Sequence, residues 1–348
     1  MTVMNDSIFI GTSNRGFAQQ AQEELRRLLG QSVKFEWLAP GEVFVFTSEF
    51  ERSDTIGRIL AQEPVFLRHM QPVDATQPWS GTFDHAIHYI HEMLVAAGAS
   101  VKQMNVAVQA RKAEGEALAS LSLPSVRSSV EEILATVFEA NPVSRDADLI
   151  LSLYFTEAKL YFGLSRPQDN LSDWSGGAIR FRKEEGQVSR AKFKLLEAEQ
   201  AFGLDLSQYR SALDIGAAPG GWTSLLLERG LRVTAVDPAK LDATLLRHPQ
   251  LTFFQKKADE VSFAANAFDL LVCDMSWSHR QMAKLVRGLL GALQPGGTAV
   301  ITVKLMHKKA FQTIREVVSD LAPELELQQA KQLFHNREEL TLFLMKQV

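Results

Sequence analysis

The sequence predicts an α/β protein whose C-terminal half is a mostly parallel sheet flanked by helices, preceded by an α+β region. Three observations carry this. From Ser211 onward apolar strand runs alternate with helical segments. A glycine-rich turn, Asp214 to Trp222, joins the first of those strands to a helix. A stretch rich in Pro, Asn, Asp, Ser and Gly, Ser165 to Gly186, separates that pattern from a different one upstream.

In chain order, Ser7 to Thr12 is a short apolar run, Phe17 to Leu29 has helical spacing and Val43 to Thr47 reads as a strand, a small α+β opening over residues 1–75. After the Pro- and Gly-containing stretch Gln71 to Gly81, the order is helix (Asp84 to Ala97), strand (Asn105 to Gln109), helix (Ser125 to Ala140) and hairpin. The hairpin pairs Asp148 to Phe155 with Lys159 to Leu164 across the turn Thr156–Ala158, giving a second α+β module over 76–165. Residues 166–188 are expected to be a linker, and 189–348 a third domain. Its strands are Ser211 to Ile215, Arg232 to Val236, Leu251 to Gln255, Asp269 to Cys273 and Thr298 to Val303, with helices from Trp222, around Gln281 to Leu293 and from Lys309. The last two runs, Glu326 to Leu333 and Leu340 to Met345, have no helix between them, so a seven-stranded Rossmann-like sheet should end antiparallel.

Composition narrows the class. Hydrophobic residues make up 46% of the 348 and charged residues 22%, enough for several cores and against a disordered chain. Cys273 is the single cysteine, which excludes an internal disulfide framework and cysteine-rich zinc or iron–sulfur sites; no metal site is expected. A net charge of -4 argues against a wholly basic nucleic-acid platform and leaves room for local patches. With neither a signal-like start nor an apolar run approaching the ~20 residues of a membrane span, the protein reads as cytoplasmic, without a membrane partner. Nothing in the sequence sets the oligomeric state, and a monomer is compatible with it.

The turn Leu213-Asp214-Ile215-Gly216-Ala217-Ala218-Pro219-Gly220-Gly221-Trp222 lies where a doubly wound sheet exposes backbone amides to a ligand, and small residues there leave room for a cofactor. Asp237 ends the next strand, 23 residues after Asp214, where a carboxylate accepts both hydroxyls of an adenosine ribose. The dinucleotide fingerprint needs glycine where Ala218 stands, and an acid just before the loop repels pyrophosphate while suiting a cofactor with a positive end. A sulfonium cofactor fits better.

Asp214 to Trp222, together with Ser189-Arg190-Ala191-Lys192-Phe193-Lys194-Leu195, resembles the FtsJ-like RNA ribose 2′-O-methyltransferases over about the last 160 residues. The ending His335-Asn336-Arg337-Glu338-Glu339-Leu340 is similar to the RlmM-type subgroup, which acts on large-subunit ribosomal RNA. The resemblance implies a class I methyltransferase domain using S-adenosyl-L-methionine, an RNA partner, and an N-terminal half made of a ferredoxin-like region and an RNA-gripping THUMP-like domain. It implies cofactor contacts at Asp214, Gly216, Ala217, Pro219, Gly220, Gly221, Trp222, Asp237, Asp274 and, in a shifted register, Asp259. It also implies a catalytic tetrad, Lys194, Asp274, Lys304 and Glu339.

Strand topology independently sends Asp274 and Lys304, each directly after an apolar run, to the same rim as the glycine turn. A ribose hydroxyl is a weak nucleophile that needs a base, and a lysine serves only when neutral, which a second lysine nearby favours. Lys304 is the expected base, Lys194 the tuning cation, Asp274 the orienting partner and Glu339 an anchor; which lysine loses the proton stays open. Glu338 is a rival of Glu339, because strand alternation lets only one face the site. Trp277 is a candidate for stacking on a nucleotide or for simple packing. Arg180, Arg182, Lys183, Arg190, Lys192 and Lys194, diluted by Glu184 and Glu185, form a basic stretch able to guide phosphates, and His307, Lys308 and Lys309 a second. His85, His88 and His91 share a helix but step across its surface and do not converge on a metal. The competing readings are a catalytically inactive RNA or ribosome-assembly factor that keeps the pocket, and a methyltransferase acting on something other than RNA.

Overall fold

The computed structural model describes residues 6–79, 81–182 and 186–347. Contacts divide the chain into two units, Met1–Ile179 and Arg180–Val348.

The first unit opens with β1 (Ser7–Thr12), α1 (Ala18–Leu29), β2 (Lys34–Ala39), β3 (Val43–Ser48), α2 (Arg52–Gln62) and β4 (His69–Pro72). The strands make an antiparallel sheet in the order β2-β3-β1-β4, a ferredoxin-like arrangement with the stacked rings of Phe9 and Phe46 at its centre. Three of these elements escape sequence reading. β2 is an edge strand with no buried residue, so it shows no alternation, and α2 buries only Thr55, Ile56 and Ile59. β4 is four residues long and half polar, yet fully buried.

A second sheet in the same unit comprises β5 (Ala75–Pro78), β6 (Asn105–Lys112), β7 (Asn141–Pro142), β8 (Leu149–Phe155) and β9 (Lys159–Ser165), in the order β5-β9-β8-β6-β7. The helices α3 (Phe83–Ala97) and α4 (Leu123–Val137) bury Ile90, Leu94, Val130 and Leu134 with Val106, Leu151 and Leu153 of the sheet. The expected order of helix, strand, helix and hairpin is present. β5 occupies the stretch read as a Pro/Gly connection, where it pairs antiparallel with β9.

The expected linker divides. Residues 166–179 belong to the first unit: Arg68 Nε donates to the Gly176 carbonyl at 3.0 Å and Gln109 Nε2 to that of Asp173 at 2.6 Å. Gly177 approaches so closely that a Cβ there would lie 2.9 Å from the Arg68 carbonyl oxygen. Small and polar residues here serve tight backbone docking, which composition alone does not distinguish from a loose connection. Lys183, Glu184 and Glu185 lie outside the described residues.

The second unit runs α5 (Lys192–Ala201), β10 (Ser211–Ile215), α6 (Gly221–Glu228), β11 (Arg232–Val236), β12 (Leu251–Phe254), β13 (Phe268–Cys273), α7 (His279–Leu289), β14 (Leu293–Lys304), α8 (Ala310–Leu321), β15 (Leu325–Lys331) and β16 (Glu339–Lys346). The sheet order is β12-β11-β10-β13-β14-β16-β15. The first five strands in that row are parallel, and β16 is antiparallel to β14 and β15 on either side of it. The Rossmann-like sheet with an antiparallel ending is therefore present. Chain order reverses between β10 and β13, and the crevice at such a switch point, at the carboxyl ends of the strands, is where ligands bind. Because β16 runs the other way, its first residue, Glu339, reaches the same rim as Lys304, the last of β14. Among the described residues no helix is long and apolar enough to cross a membrane.

Candidate active site

The glycine turn is shaped chiefly by protein neighbours. Gly216, at φ 77°, faces Met275, whose Cγ would lie 2.3 Å from a Cβ; Gly220, at φ 117°, faces Leu245 in the same way, at 2.3 Å. Gly221 lies against the start of α5 and the residues just before it, with the Lys192 backbone nitrogen and the Ser189 Cβ each 3.0 Å from where its own Cβ would be. Trp222 is buried, and its indole N–H donates to the Ala191 carbonyl at 2.9 Å. Gly221 and Trp222 thus dock α5 onto α6 instead of lining the cofactor crevice. Ala217 is buried behind the turn, and Pro219 faces solvent while its carbonyl accepts from the Asp242 N–H at 2.9 Å.

Asp214, expected to discriminate the cofactor by charge, lies beneath the turn, where it is 1% exposed and accepts the Thr223 hydroxyl at 2.6 Å. Burial, aided by the nearby Asp274 and Asp237 carboxylates, pushes its pKa up to about 7 against the pull of Thr223. The folded state therefore holds a proton that the unfolded chain, at the ordinary 3.8, has lost. The stability contributed by this one proton drains away as pH climbs through this interval and is gone above about 7. Asp214→Asn is expected to flatten that slope: thermal melts from pH 5 to pH 8 should fall less for the variant than for wild type, and parallel curves would contradict the assignment.

The crevice itself is lined by Gly216, Ala218, Val236, Asp237, Pro238, Lys257, Ala258, Asp259, Asp274, Met275, Ser276, Trp277 and Leu285. Of the expected cofactor contacts, Gly216, Asp237, Asp259 and Asp274 are among these, whereas Asp214, Ala217, Pro219, Gly220, Gly221 and Trp222 are not. Asp237 also braces the turn, accepting the Ala218 N–H at 3.0 Å and the Ala239 N–H at 2.7 Å. Three carboxylates against one lysine suit an adenosine cofactor with a cationic centre and oppose a pyrophosphate. The discrimination assigned to Asp214 from sequence falls to these three acids.

At the rim, Lys194 Nζ donates to Asp274 at 2.9 Å and 3.3 Å and to Glu339 at 2.7 Å. All three side chains are between 13% and 18% exposed, so the contacts are poorly screened. Burial works against the charge on Lys194, but Asp274 and Glu339 outweigh it and raise the pKa above the ordinary lysine value. Thr302, unnoticed in the sequence because a threonine in a strand needs no special explanation, donates to Asp274 Oδ1 at 2.7 Å. Lys304 lies two residues beyond Thr302, on the same strand face, directly opposite Glu339 in the β14–β16 register. It is exposed, and among the described residues it makes no ion pair. Glu338 is exposed and offers its backbone carbonyl to the Leu305 N–H at 2.8 Å, which leaves Glu339 as the acid that faces Lys194.

Other sequence candidates distribute differently. Lys192 is buried and paired with Glu228 at 2.7 Å, so it anchors α5 to α6 rather than guiding phosphates. Arg180, Arg182, Arg190, His307, Lys308 and Lys309 are exposed. Trp277 is 46% exposed at the crevice wall. Of the three α3 histidines, His85 and His88 both contact the Tyr89 ring, His88 also pairs with Glu92, and His91 contacts the Phe138 ring.

Residues 187–327 match the FtsJ-like methyltransferase family. The chain is 34% identical over 232 residues to "Ribosomal RNA large subunit methyltransferase M" of Laribacter hongkongensis, covering 62% of this chain and 63% of that one. It is 36% identical over 197 residues to the protein of that name from Psychromonas ingrahamii, covering 52% and 53%. In these alignments the chain spans 53% to 63% of the relatives' length. TrmN from Thermus thermophilus, a solved structure, is similar with a TM-score of 0.41 and 16% identity, over 98% of this chain and 100% of that one. The residues similar to the FtsJ-like methyltransferases, 187–327, are those that carry the glycine turn, Lys194, Asp274 and Lys304.

Proposed function

We propose that this protein methylates a ribose 2′-hydroxyl of ribosomal RNA, with S-adenosyl-L-methionine as donor and residues 1–179 as an RNA-holding region of ferredoxin-like and THUMP-like parts. The observation that carries the reading is the Lys194–Asp274–Glu339 clamp beside the acid-lined crevice, with Lys304 facing the same rim. The relatives' name supports ribosomal RNA as the substrate class.

When bound, S-adenosyl-L-methionine supplies an electrophilic methyl group. Asp237 would accept its ribose hydroxyls, Asp259 its adenine amino group, and the carboxylates around the crevice would favour its positive sulfur. Lys194 uses its ammonium protons on two carboxylates, so releasing one would break ion pairs; it remains a fixed cation that steadies the developing oxyanion. The base would then be Lys304, whose amine would take the 2′-hydroxyl proton as the oxygen–methyl bond forms and the sulfur–methyl bond breaks, its electron pair remaining on the sulfur. Asp274, fixed by Thr302 and Lys194, orients the pair. Purified protein given methyl-labelled cofactor and unmodified ribosomal RNA is expected to leave the label in a 2′-O-methylnucleoside after nuclease digestion. Label on a base would overturn the reading.

A further inference from the structure

On α5, Glu197 follows Lys194 by three residues, on the same helix face. Its side chain is 4% exposed, and a carboxylate so buried needs donors around it. Among the described residues, all the donors belong to the connection between β15 and β16. Oε1 accepts the Phe334 backbone N–H at 2.7 Å, Oε2 accepts that of His335 at 2.9 Å, and His335 Nδ1 stands 2.7 Å from Oε2. A carboxylate on Nδ1 holds the ring proton there and fixes the ring's orientation. The imidazole is packed in turn by the rings of Phe181 and Phe193, at centroid separations of 5.5 Å and 5.4 Å.

The same connection ends at Glu339. Between the two points it is wired closely: Asn336 Oδ1 accepts the Leu333 N–H at 2.9 Å and the Thr341 hydroxyl at 3.1 Å, and Gln332 Nε2 reaches the Glu339 carbonyl at 3.3 Å. Leu305, directly after Lys304, donates to the Glu338 carbonyl. α5 therefore grips this segment twice, through Glu197 at Phe334–His335 and through Lys194 at Glu339. A shift of the first contact is transmitted along a short, internally bonded segment to the second.

We propose that Glu197 and His335 are positioning residues, which fix the turn that delivers Glu339 to Lys194 and keep Glu338 and Leu305 in step beside Lys304. The proposal rests on the reading of the tetrad as the catalytic centre. Charge and shape both matter at Glu197, because its partners are all donors. A glutamine accepts through one oxygen only and sets its amide N–H against an N–H in either orientation.

The test uses the full chain with three variants, Glu197→Gln, His335→Leu and His335→Asn, the last retaining a side-chain donor near the Nδ1 position. Glu197→Gln and His335→Leu are expected to lower kcat for RNA methylation by about ten-fold or more, since small misplacements at a reacting centre are severe. KM for RNA and the affinity for S-adenosylhomocysteine should stay within about two-fold, and His335→Asn should recover most of the lost kcat. Unchanged kcat in the first two variants would overturn the proposal, as would a raised KM with kcat retained, which marks direct substrate contact. Equal loss in His335→Asn and His335→Leu would reduce the role to packing and also overturn it. If Glu197→Gln does not fold, the His335 pair decides. Lys304→Ala measured alongside separates the two levels: activity retained there sinks the catalytic reading, whereas its loss beside a fully active Glu197→Gln sinks the positioning role alone.

Discussion

Lys304→Ala is expected to lower kcat by about 10²–10⁴-fold, the usual contribution of a positioned base, while leaving the protein folded. The second half of that expectation follows from geometry. Lys304 is exposed at the end of β14 and makes no ion pair among the described residues, so truncation removes little that holds the fold. Surface substitutions of this kind shift stability by about 0.5 kcal/mol or less. Affinity for S-adenosylhomocysteine should also be preserved, because Lys304 does not line the crevice. Lys304→Arg should be equally inactive, as a guanidinium stays protonated and offers no lone pair. Single-turnover assays with melting curves check both halves; a variant retaining near-wild-type kcat would move the base elsewhere.

Lys194→Met should lose both activity and stability. Lys194 lies between Asp274 and Glu339, and its removal leaves two mostly buried carboxylates without their shared cation. Removing one partner of a fully buried pair costs about 3–5 kcal/mol; at this partly open rim about 2 kcal/mol is expected. For a domain of this size that lowers the melting temperature by roughly 4–8 °C. Activity should fall by about 10²–10³-fold, the scale of losing an oxyanion-stabilising group. Replacing the acids in addition separates the effects: Lys194→Met with Asp274→Asn should regain stability relative to Lys194→Met and stay inactive. A stable, active Lys194→Met would contradict the clamp as described.

How much of this is visible in the sequence depends on what each residue must tell. β10 and β11 are legible to the residue because short apolar runs end at a glycine turn and an acid. Asp274 and Lys304 stand out because charges that follow apolar strands lie at the rim of a parallel sheet. The choice between Glu338 and Glu339 is not legible, since it depends on the register Lys304↔Glu339 between two strands that α8 and β15 separate in the chain. Glycines spaced for a cofactor look the same as glycines spaced for Met275, Leu245 and the start of α5, so the turn was legible and the duties of Gly220, Gly221 and Trp222 were not. α5 hides from periodicity because its buried face includes Lys192 and Glu197, whose polar partners are distant in the chain. The strap 166–179 hides for the converse reason, being polar yet docked through its backbone.

Mapping ribose methylation across ribosomal RNA from cells lacking this protein, complemented with wild type or with Lys304→Ala, decides whether Lys304, beside the Lys194–Asp274–Glu339 clamp, is the base that deprotonates a ribose hydroxyl. One ribose methyl group should disappear with the protein, return with wild type and stay absent with the variant. Its return with Lys304→Ala, or a loss confined to base methylation, would overturn that role.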